Sequence, residues 1–169
     1  MPKIIENIRQ QLLEEAKKQV AERGYKNTTV RSVASACGIA VGTVYNYFRS
    51  KDILIASFIL EDWEVMVKTI ISQPKENRKF YLEFIHISLQ KFAKKYNTLF
   101  ADEDAKQTFS LAFTERHGQL RYQLASLILP VCARDEDFLA EYVAEALLTW
   151  TMAGKSFESI YELLPEQIK

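Results

Sequence analysis

Basic, hydroxyl and amide side chains that can bind a polyanion gather in the first third of the chain. No acidic residue occurs between Glu22 and Asp52. Five basic residues lie in that span: Arg23, Lys26, Arg31, Arg49 and Lys51. Residues 1–51 hold nine basic and four acidic residues, a net charge of +5, whereas the whole chain of 169 residues is neutral. A basic end on an otherwise acidic protein is typical of a nucleic-acid-binding surface, although chance clustering on a solvated face would look the same.

Two short helices and a tight turn must position these side chains. The pattern predicts a helix over about 29–36 with Thr28 as its N-cap, a sharp turn at Gly38, and a second helix over about 41–48. This is the helix-turn-helix layout, in which the second helix enters the major groove of duplex DNA. An ordinary corner between two helices, with a solvated outer face, is the alternative interpretation.

The second of these helices has one anchored face and one polar face. Val44 and Phe48, four residues apart, are expected to be buried, whereas Thr43, Asn46 and Tyr47 are expected to point outward. A tyrosine offers its ring to thymine methyl groups and its hydroxyl to phosphate oxygens. The outer face is therefore chemically suited to contact DNA.

The flanking segments are also helical. A first helix has an apolar stripe at spacings of three and four and ends at Gly24. The residues of the stripe are Ile5, Ile8, Leu12, Ala16 and Val20. A fourth helix is predicted over about 51–72, capped by Ser50. Because a head of about 50 residues is too small for a reliably stable core, we expect it to rest on the remainder. The predicted domains are 1–50 and 51–169.

The second predicted domain is helical as well, so the fold class is all-α. Helices are predicted over about 75–96, 105–116, 119–129, 135–153 and 156–164. A break is expected at His117 and Gly118, and residues 97–104 are expected to form a polar connection. No sustained strand-type alternation occurs.

Several short motifs together resemble the N-terminal domain of the TetR (tetracycline repressor) family of bacterial regulators. The resemblance covers about residues 5–60. Its motifs are Gly24-Tyr25, Thr28-Thr29, Val33-Ala34, Gly38-Ile39, Gly42-Thr43-Val44-Tyr45, Tyr47-Phe48 and Ser50-Lys51-Asp52-Ile53-Leu54. Membership would imply a homodimeric, all-helical, ligand-responsive transcription factor, usually a repressor, with a DNA-binding head and a variable effector domain.

The resemblance also implies roles for individual residues. Phosphate contacts would come from Thr28, Thr29, Tyr47 and Lys51. Contacts near base edges or the sugar–phosphate backbone would come from Arg31, Val41, Thr43, Tyr45 and Asn46. Two departures weaken polar readout, because Ala40 stands where a hydroxyl often caps the recognition helix and Val41 stands where a basic residue is common. An alternative is therefore a protein of this shape that has lost operator binding and acts through a protein partner.

The second domain is rich in aromatic residues, since sixteen of the twenty Phe, Trp and Tyr residues follow residue 51. They are either core filler or the lining of a pocket for a small lipophilic or aromatic effector. The candidate pocket residues are Phe84, His86, Phe109, Phe113 and Trp150. His86 lies on an apolar helix face and is interpreted either as a hydrogen-bonded core histidine or as a polar anchor for the effector.

The helix predicted to end near residue 153 is apolar nearly all round, which is typical of burial on more than one side. We therefore expect a two-fold homodimer, which also suits a palindromic operator. The candidate interface residues are Phe138, Tyr142, Ala146, Thr149 and Ala153. A central helix inside a monomer is the alternative.

Other classes of function lack support in the sequence. We find no glycine-rich phosphate loop and no matching Ser/His/Asp or Cys/His set, so we predict no catalytic residues, no enzyme activity and no cofactor. Two histidines and two cysteines without ligand spacing argue against a metal site. No apolar run approaches the roughly 20 residues of a membrane span, and no signal-peptide core is present, so a cytoplasmic location is expected.

Overall fold

The regular structure consists of helices. A computed structural model describes residues 7–132 and 137–169, with the side chains of 107–117 outside the description. No strand occurs in those ranges, and the all-α prediction is confirmed. The α-helices are α1 (Ile8–Asn27), α2 (Val30–Ala36), α3 (Val41–Tyr47), α4 (Lys51–Ile71), α5 (Arg78–Lys95), α6 (Asn97–Ala101), α7 (Glu103–Ile128), α8 (Asp137–Met152) and α9 (Phe157–Leu163), with a 3-10 helix at Leu129–Val131.

Two predicted interruptions are wrong. Helix α7 continues through residues 117 and 118, where a break was expected, and residues 97–104 contain α6 rather than a polar connection. A single glycine costs an exposed helix interior only about 1 kcal/mol, which packing along 26 residues can offset. In contrast, Gly24, Gly38 and Gly154 have positive φ of 79°, 66° and 77°. Gly38 and Gly154 follow the ends of α2 and α8, as predicted, whereas Gly24 kinks α1, which continues to Asn27 instead of ending there.

The chain divides into two compact units. Unit 1 takes in the described residues up to Asp62 together with Asn97–Leu111. In it α1 packs on α2 and α6, and α2 packs on α3. Its core includes Leu12, Leu13, Ala16, Val33, Val44, Phe48 and Leu54, all almost fully buried. The Lys17 ammonium lies 2.7 Å from the Asp62 carboxylate, and Arg9 pairs with Glu61, so α1 is tied to the first half of α4.

Unit 2 comprises Trp63–Tyr96 and Ala112–Lys169. Helix α5 packs along α8, and α8 also packs on α9. The core includes Tyr81, Leu82, Ile85, Leu124, Ile128, Val143 and Leu147. The Trp63 indole donates to the Gln123 side chain at 2.8 Å, which joins α4 to α7 within this unit. Among the described helices, none is both long and apolar enough to cross a membrane.

Candidate nucleic-acid interface

Helices α2 and α3 are held at a tight turn. The left-handed conformation of Gly38 lets the Ile39 N–H donate to the Ala34 carbonyl at 2.9 Å, which closes the end of α2. Helix α3 begins after Ala40, which offers no side-chain cap, as the sequence predicted. Its orientation therefore depends on packing rather than on a capping hydrogen bond.

Helix α3 presents three consecutive side chains to solvent. Val44 is fully buried and Phe48, just after the helix, is 2% exposed, so these two anchor it. Tyr45 is 51% exposed, Tyr47 is 46% exposed, and Asn46 between them is also exposed. The predicted anchors and the predicted outward residues are therefore placed as expected, except that Thr43 and Val41 are half-buried. The exposed side chains carry two phenol hydroxyls and one amide, which can contact phosphates and base edges.

The two adjacent threonines have different environments, and one prediction about them is wrong. Thr28 is fully buried, and its hydroxyl donates to the Gly24 carbonyl at 2.9 Å. Its backbone N–H donates to the Tyr25 carbonyl at 3.3 Å, so Thr28 neither caps α2 nor offers a group to phosphate. Thr29 is exposed and is the N-cap, with its hydroxyl accepting from the Ser32 N–H at 3.0 Å. Thr28 is instead the C-cap of α1, after a kink at Gly24.

Lys51 opens α4 and is fixed against Tyr25. Its ammonium donates to the Tyr25 carbonyl at 3.0 Å and lies 3.7 Å from the centre of the tyrosine ring. The Tyr25 hydroxyl donates to Asp52, and Ser50 caps α4 by accepting from the Ile53 N–H, as predicted. An ammonium has three protons, so this contact restricts the direction of Lys51 while leaving donors for a further partner.

Arg31 is exposed in the first turn of α2. Unit 1 thus contains all the predicted DNA-contact residues, with Thr29, Arg31, Tyr45, Asn46 and Tyr47 exposed, Val41, Thr43 and Lys51 half-buried, and Thr28 buried.

Sequence analysis missed Gln19, a buried polar residue of α1. Its side chain is 1% exposed and hydrogen bonds to Ser32 of α2. The available signal was its position beside Val20, next to the apolar stripe and four residues after Glu15, where a glutamine amide can be buried if it is paired.

The candidate effector residues do not form a described pocket. His86 is 3% exposed, and its Nδ1 lies 2.7 Å from the Thr151 hydroxyl, so it is a hydrogen-bonded core histidine. Burial lowers its pKa, against the opposing charges of Glu158 and Glu83. Phe84 and Trp150 are half-buried against the core of unit 2. The side chains of Phe109 and Phe113 lie outside the described part of the chain.

Most of the candidate dimer residues form an exposed face of α8, but Ala146 does not. Phe138 is 81% and Tyr142 is 42% exposed, and Thr149 and Ala153 are exposed as well. Ala146 is only 7% exposed and packs in the core of unit 2. At about 100° per residue, Ala146 lies about 80° around the helix from Phe138, at the edge of the buried face.

A tight glycine turn between two short helices, the second of them exposed, defines the helix-turn-helix class. Residues 12–58 match the family model described as bacterial regulatory proteins of the tetR family. Over these residues, which make up just over a quarter of the chain, the protein is similar to the TetR family. In the part of the chain that is described, no group of three or more His, Cys, Asp and Glu residues could hold a metal ion.

Relatives with curated names match about a third of the chain. The HTH-type transcriptional repressor Rv1474c of Mycobacterium tuberculosis is 39% identical over 70 residues, which cover 39% of this chain and 37% of the relative. The HTH-type transcriptional regulator UidR of Escherichia coli K12 is 34% identical over 56 residues, covering 33% of this chain and 29% of UidR. The matches thus span about a third of these relatives' length.

Solved structures share the whole fold. Salmonella enterica GusR superposes with a TM-score of 0.66 and 22% identity, over 95% of this chain and 88% of GusR. The fatty acid degradation regulator FadR from Bacillus halodurans superposes with a TM-score of 0.61 and 21% identity, over 92% of this chain and 93% of FadR. At this identity the likeness establishes the fold.

Proposed function

We propose that the protein is a DNA-binding transcriptional regulator that binds a palindromic operator as a homodimer and represses transcription. The observation that carries the proposal is the exposure of Tyr45, Asn46 and Tyr47 on a helix anchored by Val44, within a span that has no acidic residue. Two relatives, each matched over about two fifths of this chain, are named transcriptional repressors, which supports the direction of regulation.

The exposed residues divide by chemistry into two groups. The Tyr47 hydroxyl and the Lys51 ammonium suit phosphate oxygens, which position the protein without reading sequence. The Asn46 amide and the Arg31 guanidinium suit adenine and guanine edges, which specify sequence. The Tyr45 side chain is 51% exposed, and its ring suits a thymine methyl group.

The proposal is tested by fluorescence anisotropy with a labelled random duplex over a range of salt concentrations. The logarithm of affinity should fall linearly with the logarithm of salt concentration, with a slope of about −0.9 for each neutralised phosphate. Tyr47→Phe and Lys51→Ala should weaken binding to every duplex, whereas Lys68→Ala, an exposed lysine at the far end of α4, serves as the matched control. An affinity for duplex DNA that does not change with salt concentration would refute the proposal.

Operator recognition is tested by footprinting the DNA that flanks the protein's own gene. Asn46→Ala should weaken binding to the protected sequence by about 1–3 kcal/mol and leave binding to random duplex nearly unchanged. Equal losses on both kinds of DNA would show that Asn46 does not read a base.

For the homodimer, we propose that the exposed face of α8 is the contact. Phe138, Tyr142 and Met152 are 81%, 42% and 46% exposed there. Helix α7 contributes an exposed Tyr122, and the Arg121–Glu145 ion pair at 3.1 Å ties α7 to α8. Large exposed apolar residues on adjoining helices are typical of an interaction surface.

Sedimentation velocity at micromolar concentration tests the dimer. The unmodified protein should sediment as a dimer and Phe138→Glu as a monomer. Leu163→Glu, which changes a 65% exposed residue on α9, should remain dimeric. A monomeric unmodified protein would contradict the proposed dimer and with it the two-fold operator.

We also propose a small lipophilic or aromatic effector for unit 2. The Phe92 ring lies 5.4 Å from the Trp63 ring in an edge-to-face contact and 5.0 Å from the tilted Tyr96 ring. The buried Tyr81 hydroxyl has no hydrogen-bond partner. Helix α4 has residues in both units, so its displacement is the route by which an effector would alter operator affinity. Titration with 1-anilinonaphthalene-8-sulfonate should change tryptophan fluorescence and operator affinity together, and operator affinity unaffected by bound dye would contradict this coupling.

A further inference from the structure

Gln19 is a buried amide that joins α1 to α2. Its Nε2 donates to the Glu15 carboxylate at 2.7 Å and to the Ser32 carbonyl at 3.2 Å. Its Oε1 accepts from the Ser32 hydroxyl at 2.6 Å. Since a carboxylate only accepts, Nε2 must face Glu15, and this assignment fixes the amide's orientation. Every polar atom of this side chain therefore has a partner, as a buried amide requires.

Ser32 is also part of the first turn of α2. Its hydroxyl accepts from the Thr29 N–H at 3.1 Å, and its own N–H donates to the Thr29 hydroxyl at 3.0 Å, which is a capping box. The Gln19 amide thus contacts the same hydroxyl that closes this box. The contact runs from the buried face of α1, through Ser32, to the start of α2.

The remaining contacts of α2 do not fix its rotation equally well. Its buried side chains are Val30, Val33 and Ala34, whose apolar packing is non-directional. The Cys37 thiol lies 3.7 Å from the Gln11 carbonyl, a weak sulfur contact at the other end. The hydrogen bonds between Ser32 and the Gln19 amide, in contrast, form only in particular directions. They therefore restrict the rotation of α2 more than the apolar packing does.

Arg31 directly precedes Ser32 in the first turn of α2 and is exposed. A side-chain tip lies about 5–6 Å from the axis of a helix, so a rotation of about 20° moves it by about 2 Å. Hydrogen-bond lengths span only about 0.5 Å, so such a rotation would break a contact of Arg31 with a base or phosphate.

We propose that Gln19 is a positioning residue for DNA binding, which acts through Ser32 to set the rotation of α2 and so the placement of Arg31. The inference rests on the proposed function, because it assumes that Arg31 contacts DNA. Gln19 itself is buried and touches no DNA.

The test is a double-mutant cycle on the affinity for the footprinted operator, with Gln19→Leu and Arg31→Ala. In the unmodified protein Arg31→Ala should weaken binding by about tenfold, which corresponds to one good bidentate contact. In the Gln19→Leu protein the guanidinium is already misplaced, so the further loss from Arg31→Ala should be less than about twofold. A purely structural role for Gln19 would leave the tenfold effect of Arg31→Ala intact.

Leu13→Ala is the matched control, because Leu13 is 1% exposed on α1 and contributes packing alone. It should lower the unfolding temperature while Arg31→Ala still costs about tenfold. If Gln19→Leu fails to fold, Ser32→Ala replaces it in the same cycle, because it removes the hydroxyl that joins the two helices.

The outcomes separate the inference from the proposed function. Additive losses for Gln19→Leu and Arg31→Ala, or no effect of Arg31→Ala in the unmodified protein, would overturn the positioning role while salt-dependent binding to duplex DNA stands. A protein that shows no salt-dependent binding at all would overturn both.

Discussion

Replacing each of the two adjacent threonines by valine separates a buried structural role from a DNA contact. Thr28→Val removes a hydroxyl that is fully buried and donates to the Gly24 carbonyl at 2.9 Å, so it should cost about 1 kcal/mol of stability. Thr29→Val removes the N-cap of α2, which also costs about 1 kcal/mol. In a protein of this length either change should lower the Tm by about 2–4 °C.

The two variants should differ in DNA affinity although they are matched in chemistry and in stability. The Thr29 hydroxyl is exposed, and loss of a hydrogen bond to a charged phosphate costs about 1.5–3 kcal/mol, or about ten- to a hundredfold in affinity. Thr28→Val should bind DNA like the unmodified protein. Anisotropy with one labelled duplex, well below both unfolding transitions, measures both. Equal weakening by the two variants would refute the assignment of Thr29 rather than Thr28 to the DNA-facing surface.

Three further predictions concern the helix ends and the core. Ala40→Ser should supply the N-cap that α3 lacks and raise the free energy of unfolding by about 0.5–2 kcal/mol in denaturant titrations. Gly118→Ala, inside α7, should stabilise by about 0.5–1 kcal/mol, whereas Gly38→Ala should destabilise because its φ is 66°; opposite signs would contradict the helix described there. Burial lowers the pKa of His86, so the unfolded state binds a proton first and stability should fall as the pH drops below about 6.5. This pH dependence, measured by thermal unfolding, should be weaker in His86→Gln, which can still bond to Thr151.

The sequence predicted helices well where a local signal decides the outcome. Gly38 and Gly154 turn the chain after α2 and α8, and Gly24 kinks α1, all three with positive φ. Ser50 and Ser156 cap the helices that follow them. Gly118 gives the same local signal as these three, yet it lies inside a continuous helix. The difference arises because a glycine only lowers helix stability, and packing from distant residues decides whether the helix continues.

The sequence was less informative where burial decides a residue's role. Thr28 and Thr29 are the same residue type in neighbouring positions, yet Thr28, the C-cap of α1, is buried and Thr29, the N-cap of α2, is exposed. Gln19 is a polar residue that pattern analysis places on a surface, but Ser32 and Glu15 satisfy its amide inside the fold. The burial of Thr28 and of Gln19 can be predicted only once the packing of α1 against α2 is known, because both depend on contacts that sequence periodicity does not reveal.

The architecture of α3 explains why the proposed recognition helix depends on its neighbours. A helix of seven residues without an N-cap is far too short to be stable alone. Its three exposed side chains, Tyr45 to Tyr47, add little packing, so its order comes from Val44 and Phe48. Those two anchors belong to the core of unit 1, whose polar connection between α1 and α2 runs through Gln19. A surface proposed to contact DNA makes few stabilising contacts of its own, and the buried side of the same unit has to supply the rigidity instead.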